Sequence, residues 1–137
     1  MTMSDPIRVL LTDDEELFAQ SLAKVLRKRG MEVITARSGQ EAVELLSAHR
    51  CDVVVLDLRM PGMDGIATLE KIRRLDAQTP VLLLTGQIDL ERVTQALKGG
   101  VAEILLKPCP IDTLVTAIEN ARERRAIARE TAHPQPS

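Results

Sequence analysis

Val53-Val54-Val55-Leu56-Asp57-Leu58-Arg59-Met60-Pro61-Gly62-Met63-Asp64-Gly65 is the stretch that decides the fold. Four consecutive apolar residues, three of them β-branched, predict a strand buried on both faces. An aspartate stands where that strand stops. Pro61-Gly62 forces a turn, and Gly65 opens a helical pattern. An unpaired charge at the mouth of a buried strand costs several kcal/mol (roughly) unless something compensates it. The remainder of the chain is therefore read for that compensation.

Working outward, Ile7 to Leu11 predicts a first strand, ending at Thr12-Asp13-Asp14-Glu15-Glu16. Leu17, Phe18, Leu22, Val25 and Leu26 recur at helical spacing until Gly30, which reads as a left-handed stop. Glu32 to Ala36 is a second strand, and Ser38-Gly39-Gln40-Glu41 has the spacing of a capping box. Beyond Gly65, Ile66, Leu69, Ile72 and Leu75 mark a helix closed by Thr79-Pro80. Val81 to Leu84 is a fourth strand; Asp89 caps a helix carrying Leu90, Val93, Ala96 and Leu97, which Gly99-Gly100 ends. Ile104 to Leu106 is a fifth strand, stopped by Lys107-Pro108, and Ile111, Leu114, Val115 and Ile118 form the last stripe. Strands alternating with helices over short connections predict one α/β unit: a doubly wound, five-stranded parallel sheet with five helices. The natural strand order is the flavodoxin-like 2-1-3-4-5.

Bulk properties agree. The chain has 137 residues, of which 45% are apolar and 28% charged, enough for one compact domain with a full core. Its formal charge of −2 carries no nucleic-acid footprint. No basic-then-apolar leader opens the chain and no apolar run reaches the length of a membrane span, so a cytoplasmic location is expected. Cys51 and Cys109 fit no zinc or redox spacing. Phe18 is the only aromatic ring, so base stacking on aromatic platforms is disfavoured. From Ala121 the apolar stripe fails. Residues 1–121 are therefore expected to form the domain, and 122–137 a solvated helical extension with a disordered end.

The unusual polar residues all fall at carboxyl ends of strands: Asp13 and Asp14 after the first, Asp57 after the third, Thr85 after the fourth and Lys107 after the fifth. Open α/β sheets place their ligand crevice at that edge. Like charges in contact there repel by about 4 kcal/mol per pair at an effective dielectric near 20, which Lys107 offsets only in part. Hard oxygen ligands without nearby His or Cys select Mg²⁺, or Mn²⁺, to offset the remainder. Beside a metal, Asp57 can act as a nucleophile toward a phosphoryl group, with Lys107 and the metal neutralising the phosphoryl oxygens and the Thr85 hydroxyl donating to one of them. Taken singly, an Asp-Asp pair is commonly a helix cap and Thr-Gly or Lys-Pro a plain strand end. Their joint placement on four strand ends carries the functional reading.

At these residues the chain resembles the receiver domains of two-component response regulators, with the CheY-like fold. The resemblance runs from about Ile7 to Ala121. It rests on Thr12-Asp13-Asp14-Glu15, on Asp57 to Gly65, on Leu84-Thr85-Gly86 and on Leu106-Lys107-Pro108. It implies that Asp57 is the phosphoacceptor, and that Asp14, Asp57 and the backbone carbonyl of Arg59 bind Mg²⁺ directly while Asp13 holds a metal-bound water. It implies too that Lys107 pairs with the phosphoryl group and Thr85 is the switch hydroxyl. A sensor histidine kinase or phosphotransfer protein would supply the phosphoryl group. The output would be a downstream protein bound on the face of the fourth helix, fifth strand and fifth helix, by a monomer or a weak phosphorylation-dependent dimer acting as a switch and not as an enzyme. Two positions depart from the family pattern: Ile104 stands where many receivers have an aromatic, and Cys109-Pro110 replaces the common aromatic after Lys-Pro.

Three other readings remain open: a receiver fragment of a larger regulator or hybrid kinase, an aspartyl-phosphate phosphatase, and a docking module that ignores phosphorylation. The phosphatase generally needs a second acid near the nucleophile, and Arg59 stands there instead. Arg59 and Gln87 are expected to influence the acyl phosphate's lifetime. Cys109 is expected to be an incidental thiol, and His49 a solvated residue.

Overall fold

The computed structural model describes residues 5–58, 64–87 and 89–131, with side chains to 126. The expected carbonyl of Arg59, the Pro61-Gly62 turn and the tail beyond residue 131 lie outside them. The elements run β1 (Arg8–Thr12), α1 (Glu16–Lys28), β2 (Glu32–Ala36), α2 (Gly39–Ala48), β3 (Val53–Leu56), α3 (Gly65–Leu75), β4 (Val81–Thr85), α4 (Leu90–Lys98), β5 (Glu103–Leu106) and α5 (Ile111–Thr131). All strand pairs are parallel and their order is β2-β1-β3-β4-β5, as expected from the alternation.

The pleat sorts the strand residues between two cores. Val9, Leu11, Val53, Val55, Leu82 and Leu84 face one layer, closed by Leu26 of α1 and Leu114 and Ile118 of α5. Leu10, Val54, Leu56 and Leu83 face the other, closed by Leu69 and Ile72 of α3 and Ala96 of α4. Each such side chain contributes about 1.5–3 kcal/mol by leaving water. That is why the Val53–Leu56 run, buried throughout, sits in the middle of the sheet.

Helix ends follow the sequence signals. Ser38 accepts from Glu41 N–H, while the Glu41 carboxylate reaches one residue further back, to Arg37 N–H at 2.7 Å. Asp64 and Asp89 cap α3 and α4 by accepting from Ala67 and Arg92 N–H. Gly30 takes a positive φ of 89° after α1.

Two expectations need correction, and β5 differs from the central strands. The buried stripe of α1 is made by Ala19, Ala23 and Leu26, with Phe18 and Leu22 half-buried; Leu17 is 86% exposed. Small residues mark where the helix backbone comes nearest the sheet, so the stripe is rotated from the one the leucines suggest. In α4 only Ala96 is buried, and Leu90 and Leu97 face solvent. Finally β5 is an edge strand with Glu103 and Leu106 exposed, so burial on both faces holds for β3 and β4 but not there.

The helix α4 is held chiefly at its far end. The Arg73 guanidinium of α3 donates to the carbonyls of Gly99 (2.8 Å), Gly100 (2.9 Å) and Thr79 (2.6 Å). The helix α5 continues past Ala121, and its extension is tethered. Arg125 donates to Asp76 at 2.7 Å and Arg122 to the Asp5 carbonyl at 3.1 Å.

Candidate functional site

Main-chain bonding carries the sheet just past its strands and so sets the site. Asp13 N–H donates to the Ala36 carbonyl (3.0 Å), Asp57 N–H to Thr12 (3.0 Å), and Lys107 N–H to Thr85 (2.9 Å). Asp13, Asp57 and Lys107 are thereby fixed on one edge by the sheet itself. Gly65 closes the segment behind Asp57, its N–H bonding the Leu58 carbonyl at 3.0 Å. A Cβ at Gly65 would stand 2.5 Å from Leu58 Cα and 2.9 Å from the Asp57 carbonyl, so only glycine fits this approach.

Asp13, Asp14 and Asp57 each offer one carboxylate oxygen, and these three oxygens lie within 4.8 Å of one another. Asp13 and Asp57 are buried and Asp14 is exposed. Lys107 Nζ donates to Asp13 Oδ2 at 2.7 Å and to Asp57 Oδ2 at 3.3 Å, with Glu15 Oε1 3.6 Å away. Its shorter bond thus goes to Asp13, which also accepts from Glu15 N–H at 2.9 Å. The Thr85 hydroxyl is buried at the adjacent strand end, where it donates to the Gln87 carbonyl at 3.2 Å. The acidic trio and Lys107 are therefore brought together, while the Thr85 hydroxyl is engaged within its own turn.

Burial pushes the Asp13 carboxyl above its usual range, against the pull of its bonds from Lys107 and Glu15, and Asp57 adds to the rise. Burial alone would lower the Lys107 ammonium, but Asp13 and Asp57 outweigh it and hold it above its ordinary value. Both partners of one ion pair are raised because the acid is nearly enclosed and has a second acid beside it. The residual negative charge, carried by oxygen donors alone, fits a hard divalent cation.

Sequence reasoning missed two neighbours of Lys107. Glu15 lies two residues beyond Asp13, within the quoted acidic run. The ring of Phe18 stands 4.3 Å from the ammonium, whereas its spacing in the sequence places it only in the helix stripe. Its being the chain's only ring was the available signal. Cys109 follows its expectation: burial and then Glu103 raise its thiol, which makes it less reactive. His49 is exposed at the end of α2.

A hollow of about 460 Å³ opens at the opposite edge of the sheet, lined in part by His49, Arg50, Asp52, Asp76 and Arg125. Its Asp76 and Arg125 already pair with one another at 2.7 Å. The crowded acidic edge around Lys107 is the better candidate.

The family model described as the response regulator receiver domain matches residues 9–119. The chain belongs to the response regulator receiver domain family. This receiver is 32% identical over 126 residues to the regulatory protein AtoC of Escherichia coli K12, covering 92% of this chain and 27% of that protein. It is 39% identical over 134 residues to the transcriptional regulatory protein PdtaR of Mycobacterium tuberculosis H37Rv, covering 93% and 64% respectively. The chain thus spans about a quarter of AtoC and under two thirds of PdtaR. Among solved structures it is similar to a Burkholderia pseudomallei response regulator described with a phosphorylated aspartic acid, a calcium ion and citrate. That likeness has a TM-score of 0.78 at 26% identity, over 93% of this chain and 75% of the other. Receiver domains of response regulators are phosphorylated by sensor kinases, and the acidic trio here is able to hold a metal. Among the described residues no helix is long and apolar enough to cross a membrane.

Proposed function

We propose that this chain is a phosphorylation switch in which Asp57 accepts a phosphoryl group from a phosphohistidine of a sensor kinase or phosphotransfer protein. The observation that carries the reading is the convergence of Asp13, Asp14, Asp57 and Lys107 on one sheet edge, with a single cation among three acids in the described residues. An Asp57 oxygen attacks phosphorus, the bond from phosphorus to the donor nitrogen breaks, and the electron pair leaves on the imidazole. Lys107, already 3.3 Å from Asp57, pairs with the transferred group's oxygens. Thr85 gives up its bond to the Gln87 carbonyl to donate to the phosphoryl group, which draws the start of α4 toward the site.

Mg²⁺, with Mn²⁺ as substitute, would be held by Asp14, Asp57 and the Arg59 carbonyl, with Asp13 through water, and would neutralise charge on the phosphoryl oxygens. The Burkholderia relative's phosphorylated aspartic acid and calcium ion support both assignments. We take residues 1–121 as the receiver and 122–137 as an extension of it. The chain acts as a cytoplasmic switch, not an enzyme. Its output is a protein bound on the α4, β5 and α5 face, where Leu90, Leu97 and Leu106 are exposed.

Incubation with acetyl phosphate and Mg²⁺ is expected to add one phosphoryl group, read by intact-protein mass spectrometry. Asp57→Asn is expected to abolish it. Persistence of the adduct in that variant overturns the acceptor assignment.

A further inference from the structure

The chain builds its cores from aliphatic side chains and spends its single ring beside the site lysine. Phe18 projects from the first turn of α1 and is half-buried against the core formed by β1, β3 and α5. Its ring centroid is 4.3 Å from Lys107 Nζ, within the reach of an attraction between a cation and the electron-rich ring face. The lysine side chain is only 15% exposed, so water does little to screen that attraction.

Lys107's other partners are all carboxylates: Asp13, Asp57 and Glu15. Two of them change character when the edge does its work: Asp57 becomes a mixed carboxylic–phosphoric anhydride and Asp13 would face a metal-bound water, while Glu15 is an exposed side chain whose pull water screens. Beside these carboxylates the ring is, among the described partners of the ammonium, the one that neither ionises nor takes part in the chemistry. We propose that Phe18 is a positioning residue: its ring face keeps the Lys107 ammonium at the phosphoryl-accepting edge while the lysine exchanges its carboxylate partners for phosphoryl oxygens. This rests on the reading of Lys107 as the phosphoryl-pairing cation. A leucine at position 18 would fill much of the same volume, yet offers the ammonium no attraction.

The single phenylalanine makes the test clean, because fluorinated phenylalanine supplied to the expressing cells labels position 18 alone. Fluorination drains the ring face of negative potential with little change in size. Mono-, di- and trifluorinated protein should accept a phosphoryl group from acetyl phosphate and Mg²⁺ at progressively lower rates. Phe18→Leu should fall about fivefold, the size of effect expected for a partly desolvated contact of this kind. The ε-methylene protons of Lys107 should show a ring-current upfield shift that Phe18→Leu removes. Equal rates across the fluorinated series, or a Phe18→Leu variant as fast as the parent, overturn the positioning role while leaving Lys107's own role standing. A parent protein that takes up no phosphoryl group, with the ring-current shift intact, sinks the phosphoacceptor reading and this role with it.

Discussion

Two ion pairs of equal length stand at opposite edges of this sheet: Lys107 with Asp13 and Arg125 with Asp76, both at 2.7 Å. Their acids behave in opposite ways. Asp13 is 2% exposed and has Asp57 for a neighbour, so burial wins and its carboxyl is raised. Asp76 is 40% exposed; burial raises it less than the bonds from Gln78 N–H, Thr79 and Arg125 lower it, and its carboxyl falls below the ordinary value. Distance does not distinguish a site from a tether. What does is the surroundings of the charge: at the upper edge, among the described residues, one lysine stands among three acids whose carboxylates are able to hold a metal.

The comparison can be broken from either side. Gly65→Ala should cost the most, about 3 kcal/mol in chemical denaturation, because the added methyl meets main chain at Leu58 and Asp57 and not a movable side chain. Next, Mg²⁺ at about 100 times its Kd should stabilise the chain by about 2.7 kcal/mol. Asp13→Asn should lose most of that gain in a metal-dependent melting experiment, while its metal-free stability changes little, since Lys107 keeps Asp57 at 3.3 Å. Asp76→Asn should do the reverse: the metal increment survives, and baseline stability drops by about 1 kcal/mol, modest because the Asp76 side chain is 40% exposed.

The smallest effect is a difference of sign with pH. The folded Asp13 carboxyl binds its proton more tightly than the unfolded one at 3.8, so stability falls as pH rises from 3.8 through the raised value. Asp76 contributes fully above 3.8, and that contribution is lost as pH falls through its lowered value. Carboxyl carbon NMR titration should find Asp13 titrating above 3.8 and Asp76 below it. The same order in both, on either side of 3.8, would erase the contrast.

The upper edge was legible in the sequence because topology does the gathering. Runs such as Val53 to Leu56 declare strands, alternation declares a parallel sheet, and strand ends in such a sheet must share an edge. The lower tether was not legible. Asp76 ends a helix and Arg125 lies 49 residues on, past the point where the apolar stripe fails, so no periodicity connects them. The helix faces were half legible: Leu17, Leu90 and Leu97 suggested contact surfaces that Ala19, Ala23 and Ala96 provide instead. Close approach selects small side chains, and hydrophobicity patterns weigh large ones most.

Arg73 gives α4 a mechanical character. One guanidinium ties Gly99 and Gly100, just beyond the helix's last turn, to Thr79 ahead of β4, while along the helix only Ala96 is sunk into the core. A rod pinned at one end and lightly seated elsewhere is a lever, and its fulcrum is remote from Asp57. Any swing of α4 is smallest at Gly99 and largest at Leu90, next to the Thr85-Gly86-Gln87 turn. Of the helix's two exposed leucines, Leu90 is thus the one that travels further.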